Sequence, residues 1–290
     1  IYLLRIEIDH ELADDLILRL YGGDGDKASR EFRIMRFLRS RELPVPMAYV
    51  LECSGKVLGK PFIIMERIRH IAANNVYETI EAAARSLVQI HDLDPSELTS
   101  IIKPKGYYPQ REFNGLKAII LISAFSTLRL PIAYLKYWGY ANDLKDRPVE
   151  PRLRLIHGDY GFDNIIYAAG RAYVVDWESA DIGDPTFDVA YAYNFLDFDD
   201  EMAGRHEEKL SDRFLASYRR YGGTIRELHF YRRLAALKVL VLLDAIIYNG
   251  LISLLGGGAR RFAKSAQAKL FLRKLRAYLL GLLDEIAMGV

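Results

Sequence analysis

Over the first 66 residues the apolar positions follow the short runs of strands more often than the spacing of helices. Tyr2–Ile8 and Leu16–Tyr21 are β-favouring runs separated by a polar turn at His10–Asp15, and the glycines and charges of Gly22–Lys27 predict a loop. From Ala28 to Arg39 the spacing changes: Phe32, Met35, Phe37 and Leu38 recur as on one face of a helix. Leu43-Pro44-Val45-Pro46 ends that helix, because each proline biases its predecessor away from helical backbone. Ala48–Cys53 and Pro61–Arg67 then read as strands around a Ser54-Gly55-Lys56 turn, with Cys53 expected in the core. Beyond Arg69 helices take over. Val76–Asp92 carries Ile80, Leu87 and Ile90 on one face, and Phe113–Tyr140 is helical with a break at Pro131. Strands return as Arg152–Ile156, then as Ile165–Tyr167 and Ala172–Trp177 paired across Ala169-Gly170-Arg171. From Phe187 to Val290 every long segment reads as helix. A strand-rich unit ahead of a larger helical one predicts an α+β, two-lobed molecule, divided as residues 1–68 and 69–290.

Two apolar stretches test a membrane reading. Ala118–Leu128 is too short to span a bilayer, and Val239–Leu255 follows Lys238 and contains Asp244 and Asn249, which are costly in lipid. Both read as helices of a soluble protein. The N-terminus shows no leader pattern. The chain has 290 residues, 51% of them apolar and 27% charged, and a formal charge of +2, so nothing global attracts a nucleic acid or a membrane surface. One cysteine, Cys53, precludes an internal disulfide and suits a reducing compartment, the cytoplasm. The oligomeric state is left open.

Local charge changes the picture. Residues 151–200 hold 3 basic and 10 acidic side chains, whereas 201–290 hold 16 basic and 8 acidic. The acidic stretch contains His157-Gly158-Asp159-Tyr160-Gly161-Phe162-Asp163-Asn164, then Val174-Val175-Asp176-Trp177-Glu178. A strand delivers Asp159 into a tight loop, Asn164 opens the next strand, and a hairpin later Asp176 ends its partner. Oxygen donors converging on a small region suit a hard cation such as Mg²⁺. A carboxylate beside a metal-bound phosphate, able to accept a hydroxyl proton, is the core of phosphoryl transfer.

An Asp followed five residues later by Asn, then an Asp after a hairpin, resembles the catalytic loop of kinases. Gly158 in place of the arginine usual in protein kinases makes the chain more similar to the aminoglycoside phosphotransferase and choline kinase family. The family's pattern is matched by His157-Gly158-Asp159 with Asn164, by Asp176, and by Gly183-Asp184-Pro185 with Asp188. The resemblance implies a protein-kinase-like fold with a small nucleotide-binding N-lobe and a larger helical C-lobe. It implies ATP or GTP as co-substrate, Mg²⁺ held by Asn164 and Asp176, and Asp159 as the group that orients the acceptor hydroxyl and takes its proton. Arg19, alone among basic residues on Leu16–Tyr21, would neutralise phosphate charge, aligned by Glu31 of the next helix. Met65, Glu66, Arg67 and Ile68 fall where the adenine edge is received. His157 is expected to pack behind the loop, Asp184 and Asp188 to hold it, His91 to sit at a helix end as a suitable cation, and Glu178 to lie at the surface.

Two features depart from the family. The chain starts at what would be the second strand, so the first strand and the phosphate-covering loop are absent from the sequence, and Arg67-Ile68-Arg69-His70 follows the hinge position where a glycine is common. The expected activity is transfer of the γ-phosphate to a hydroxyl of a small molecule such as an aminoglycoside, amino alcohol or sugar. An atypical protein kinase and a catalytically impaired nucleotide-binding regulator are the alternatives. Asp197-Phe198-Asp199-Asp200-Glu201 would favour a cationic acceptor, the basic tail argues against one, and tyrosines such as Tyr107, Tyr108, Tyr134, Tyr137 and Tyr140 leave room for a sugar or aromatic acceptor.

Overall fold

The computed structural model describes residues 1–4, 7–8, 11–12, 16–22, 25–71, 73, 75–102, 114–115, 117, 132–145, 152–248 and 266–284. Most of the Phe113–Tyr140 helix, the Ala118–Leu128 run, Tyr107, Tyr108 and the end of the Val239–Leu255 run lie outside them. Strands β1 (Tyr2–Leu4), β4 (Leu16–Leu20), β5 (Ala48–Glu52) and β6 (Phe62–Glu66) form an antiparallel sheet ordered β1-β4-β6-β5, and β2 (Glu7–Ile8) pairs with β3 (Glu11–Leu12) as a separate hairpin. Helix α1 (Gly25–Ser40) packs on the sheet through Ala28, Ile34, Met35 and Leu38, all buried, the stripe its apolar spacing requires.

Helix α2 (Val76–His91) begins at Asn75, whose side chain accepts the Glu78 N–H. Two short strand pairs then carry the acidic stretch. β7 (Arg154–Ile156) pairs with β10 (Asp181–Gly183), and β8 (Ile165–Ala168) with β9 (Arg171–Val174). The β8–β9 turn has positive φ at Ala169 (49°) and Gly170 (76°), as a two-residue hairpin turn of the primed type requires. β10 is a strand that the sequence pattern did not predict. Its three residues, Asp-Ile-Gly, offer a single large apolar side chain, and the β7 ladder makes the strand where the pattern does not.

Among the described residues, helices α3 (Ile132–Lys145), α4 (Thr186–Ala203), α5 (Leu210–Arg220), α6 (Leu228–Tyr248) and α7 (Ala266–Asp284) follow. One buried cluster runs from α1 and β6 through α2 and β9 to Trp177 and α5, so the strand-rich and helical parts share a core. A second joins α3, α4, α6 and α7 around Tyr137, Phe187, Phe198, Leu237 and Leu279. Among the described residues no helix is long and apolar enough to cross a membrane. Asp244, inside the apolar run, is buried and takes Tyr137 Oη at 2.5 Å and Arg276 Nε at 3.0 Å. Cys53, expected in the core, is exposed: β5 ends at Glu52, whose carboxylate accepts the Ser54 and Gly55 N–H groups and turns the chain outward.

Candidate active site

The loop after β7 is built around a buried carboxylate. Asp188, in the first turn of α4, has no exposure, and its oxygens accept the His157 N–H at 2.6 Å and the Gly158 N–H at 2.8 Å. His91 Nε2 completes the set at 3.2 Å, with His91 Nδ1 2.8 Å from Tyr218 Oη. Such a charge survives burial only when its lone pairs are filled, and here two backbone donors of the loop fill them. His91 is the last residue of α2, the helix end expected of it, and there it is a buried link between α2, α4 and α5. Gly158 has φ 79°, and a Cβ there would run into the Ser179 carbonyl oxygen, so only glycine fits. Asp184 acts one turn earlier, accepting the Arg152 N–H and the Thr186 N–H, each at 2.8 Å.

His157 is buried edge-on against Trp177, with ring centroids 4.8 Å apart. Its Nε2 lies 3.0 Å from the Val175 carbonyl oxygen, which makes Nε2 the protonated nitrogen and leaves Nδ1 to accept the Asp159 N–H at 3.3 Å. Asp159 thus leaves the loop with its N–H directed at His157. Asn164 sits at the end of a short 3-10 turn, Phe162–Asn164, rather than in β8, and its Nδ2 donates to the Asp159 carbonyl at 2.9 Å and to Asp159 Oδ2 at 3.3 Å. That orients the amide so that Oδ1 faces the other way. Asp176 lies two residues beyond β9, in left-handed backbone with φ 66° and ψ 63°.

Arg19 on β4 reaches Glu31 Oε1 at 3.1 Å, Asp176 Oδ1 at 2.7 Å and Glu178 Oε2 at 3.1 Å. Burial works against the guanidinium charge, yet Glu31 and then Asp176 raise its pKa above the usual value. Glu31 is almost fully buried and receives the Tyr21 hydroxyl at 2.7 Å; burial pushes its carboxyl up against the pull of Arg19. Glu178, expected at the surface, is half exposed but belongs to this cluster. Oxygens of Glu31, Asp176 and Glu178 lie within 4.8 Å of one another, a spacing a cation could use. Arg19 already engages all three, so the cluster is accounted for by the guanidinium, and Asn164 with Asp176 is the better oxygen pair for a hard cation.

A cleft of about 320 Å³ collects the candidates: Arg19, Met65, Glu66, Arg67, Ile68, Asn164 and Asp176 line it together with Asp163. Glu66 is tied to the chain ahead of β5, its Oε2 accepting the Met47 N–H at 3.0 Å. Glu31 stands behind the cleft, and Asp159 is joined to it through Asn164. Three residues near the loop escaped sequence reasoning. Asp163 has its carboxyl pushed up by burial and then by Asp159. The Tyr191 hydroxyl on α4 is raised by burial and by the neighbouring Asp159. Lys238 Nζ on α6 donates to the Gly158 carbonyl at 3.0 Å. Tyr191 could have been found from spacing, four residues after Phe187 and three after Asp188; Lys238 had only its isolation in an apolar run.

Residues 5–232 match the model of the phosphotransferase enzyme family. A mouse protein, acyl-CoA dehydrogenase family member 10, is 32% identical over 179 residues, 56% of this chain, and the chain spans only 16% of that relative's length. Among solved structures, a proposed aminoglycoside phosphotransferase of Ralstonia eutropha JMP134 superposes with a TM-score of 0.70 at 20% identity, covering 98% of this chain and 92% of the other. Choline kinase LicA from Streptococcus pneumoniae gives 0.60 at 16% identity, covering 93% and 86%. At such identities the likeness fixes the fold, which is the two-lobed, protein-kinase-like α+β fold.

Proposed function

The chain belongs to the phosphotransferase enzyme family, and from that premise we propose that it moves the γ-phosphoryl group of ATP or GTP onto a hydroxyl of a small molecule. The observation that carries the reading is that Arg19, Asn164, Asp176 and residues 65–68 line one cleft, and that Asp159 accepts a hydrogen bond from the lining residue Asn164. In this reading the backbone of residues 65–68 receives the base and Arg19, held by Glu31, neutralises phosphate charge. Asp159 orients the acceptor hydroxyl and takes its proton as the new O–P bond forms and the bond to the leaving diphosphate breaks. Asn164 Oδ1 and the Asp176 carboxylate are the donors suited to Mg²⁺, which when bound supplies charge neutralisation on the phosphates. The lone exposed thiol, Cys53, suits a reducing cytoplasm.

The acceptor is left as a class. The test is a coupled nucleotide-consumption screen over aminoglycosides, amino alcohols, sugars and nucleosides. Hydroxyacyl thioesters join the panel because the mouse relative's name carries an acyl-CoA. Acceptor-dependent consumption supports the reading, and phosphate incorporated only into protein would contradict it.

A further inference from the structure

We propose that Lys238 is a positioning residue for the transfer reaction, acting on Asp159 through the carbonyl of Gly158; the proposal rests on the phosphotransferase reading above. Helix α6 is among the most apolar segments of the chain, with Leu234, Ala235, Ala236, Leu237, Leu240 and Val241 buried. Lys238 is half-buried at this run, where its stem lies along apolar neighbours and its ammonium reaches for an acceptor. Its Nζ donates to the Gly158 oxygen at 3.0 Å and stands 5.4 Å from the Phe187 ring centroid.

Gly158 is therefore gripped from two helices by opposite charges. Asp188 of α4 holds its N–H, and Lys238 of α6 holds its C=O. The carbonyl belongs to the peptide that carries the Asp159 N–H, so fixing the oxygen fixes the plane from which the Asp159 side chain departs. Glycine at φ 79° leaves that peptide freer to rotate than any other residue would, because no Cβ restrains it. A second contact on the same peptide, Asp159 N–H to His157 Nδ1, is long at 3.3 Å. Lys238 makes the shorter, charge-assisted hold on that peptide.

The test compares Lys238→Met, which keeps the aliphatic stem, with Lys238→Arg, which can still donate to the carbonyl. With Mg²⁺, nucleotide and the best acceptor of the screen, Lys238→Met is expected to lose about tenfold to a hundredfold in kcat, with nucleotide KM nearly unchanged and kcat largely restored in Lys238→Arg. A second arm needs no acceptor: amide hydrogen exchange over residues 155–162 should quicken in Lys238→Met relative to wild type and Lys238→Arg. Wild-type kcat in Lys238→Met, or exchange there equal to wild type, would overturn the proposal. A wild-type protein that transfers phosphate to nothing would count against the phosphotransferase reading instead, and the exchange arm would then decide the role of Lys238 alone. Should Lys238→Met melt far below wild type, rescue in Lys238→Arg without recovery of kcat would mark a purely structural lysine.

Discussion

Asp176 holds left-handed backbone, which costs a non-glycine residue about 1–2 kcal/mol and which Asp and Asn tolerate best. Asp also puts a carboxylate 2.7 Å from Arg19 at the wall of the cleft. A residue kept in strained backbone where a smaller one would relax is the pattern of a functional site. Asp176→Asn keeps the backbone preference and the shape while removing the charge. It is expected to melt within about 2–4 °C of wild type, since the pair it breaks is partly exposed. Its Mg²⁺-dependent nucleotide turnover should fall at least ~100-fold. Calorimetry beside a turnover assay checks both, and a variant that unfolds early yet turns over normally would make Asp176 structural.

At the scale of elements, two buried aspartates of α4 organise what surrounds them. Asp188 holds the loop before the site, and Asp200 holds the other end. Asp200 accepts the Leu210 and Ser211 N–H groups at 3.0 Å, the Ser211 hydroxyl at 2.9 Å and Arg205 Nε at 2.8 Å, so it satisfies the open N-terminus of α5 from a neighbouring helix. Burial alone would raise its pKa, but the bonds from Arg205, Ser211 and Leu210 bring it below the usual carboxylate value. A folded-state pKa below the unfolded one means that the contribution to stability is present above about pH 3.8 and is lost as pH falls through the lowered value. Asp200→Asn should therefore lower the denaturation midpoint at pH 7 and flatten the acid limb below pH ~4, measured by urea titration at stepped pH. An acid limb as steep as wild type would refute the assignment. Asp200 was visible in the sequence only as part of a charge run read for its effect on an acceptor, because capping across helices leaves no spacing signature. The same reason hid His91 and β10, which depend on partners 97 and 25 or more residues away. What local pattern does encode came through. The α1 helix, with Met35 and Leu38 on its buried face though Phe32 and Phe37 are only partly buried, the β8–β9 turn and the Asp159–Asn164 spacing are each set by residues a few positions apart.

Across the whole molecule, several contacts tie the strand-rich part to the helical part. Arg30 donates to the Ala180 carbonyl, Arg33 Nη2 reaches Ser100 O at 2.6 Å, Arg171 Nη2 reaches Glu42 O at 2.7 Å, and the Val174 N–H meets Pro44 O at 2.9 Å. With one buried cluster continuous through both parts, the chain is expected to unfold in one cooperative step. Trp177 reports on that cluster and Trp138 packs against the other, so far-UV circular dichroism and tryptophan fluorescence should give coincident melts; two separated transitions would show that the parts unfold independently. The site candidates come from both parts, Arg19 and residues 65–68 from one, Asp159, Asn164 and Asp176 from the other, and the cleft between them is where transfer is proposed. The most direct test is acceptor-dependent nucleotide consumption by wild type and Asp159→Asn with Mg²⁺, alongside nucleotide binding by calorimetry. Turnover lost by at least ~100-fold in Asp159→Asn, with nucleotide affinity retained, is the predicted result; undiminished turnover in that variant would contradict it.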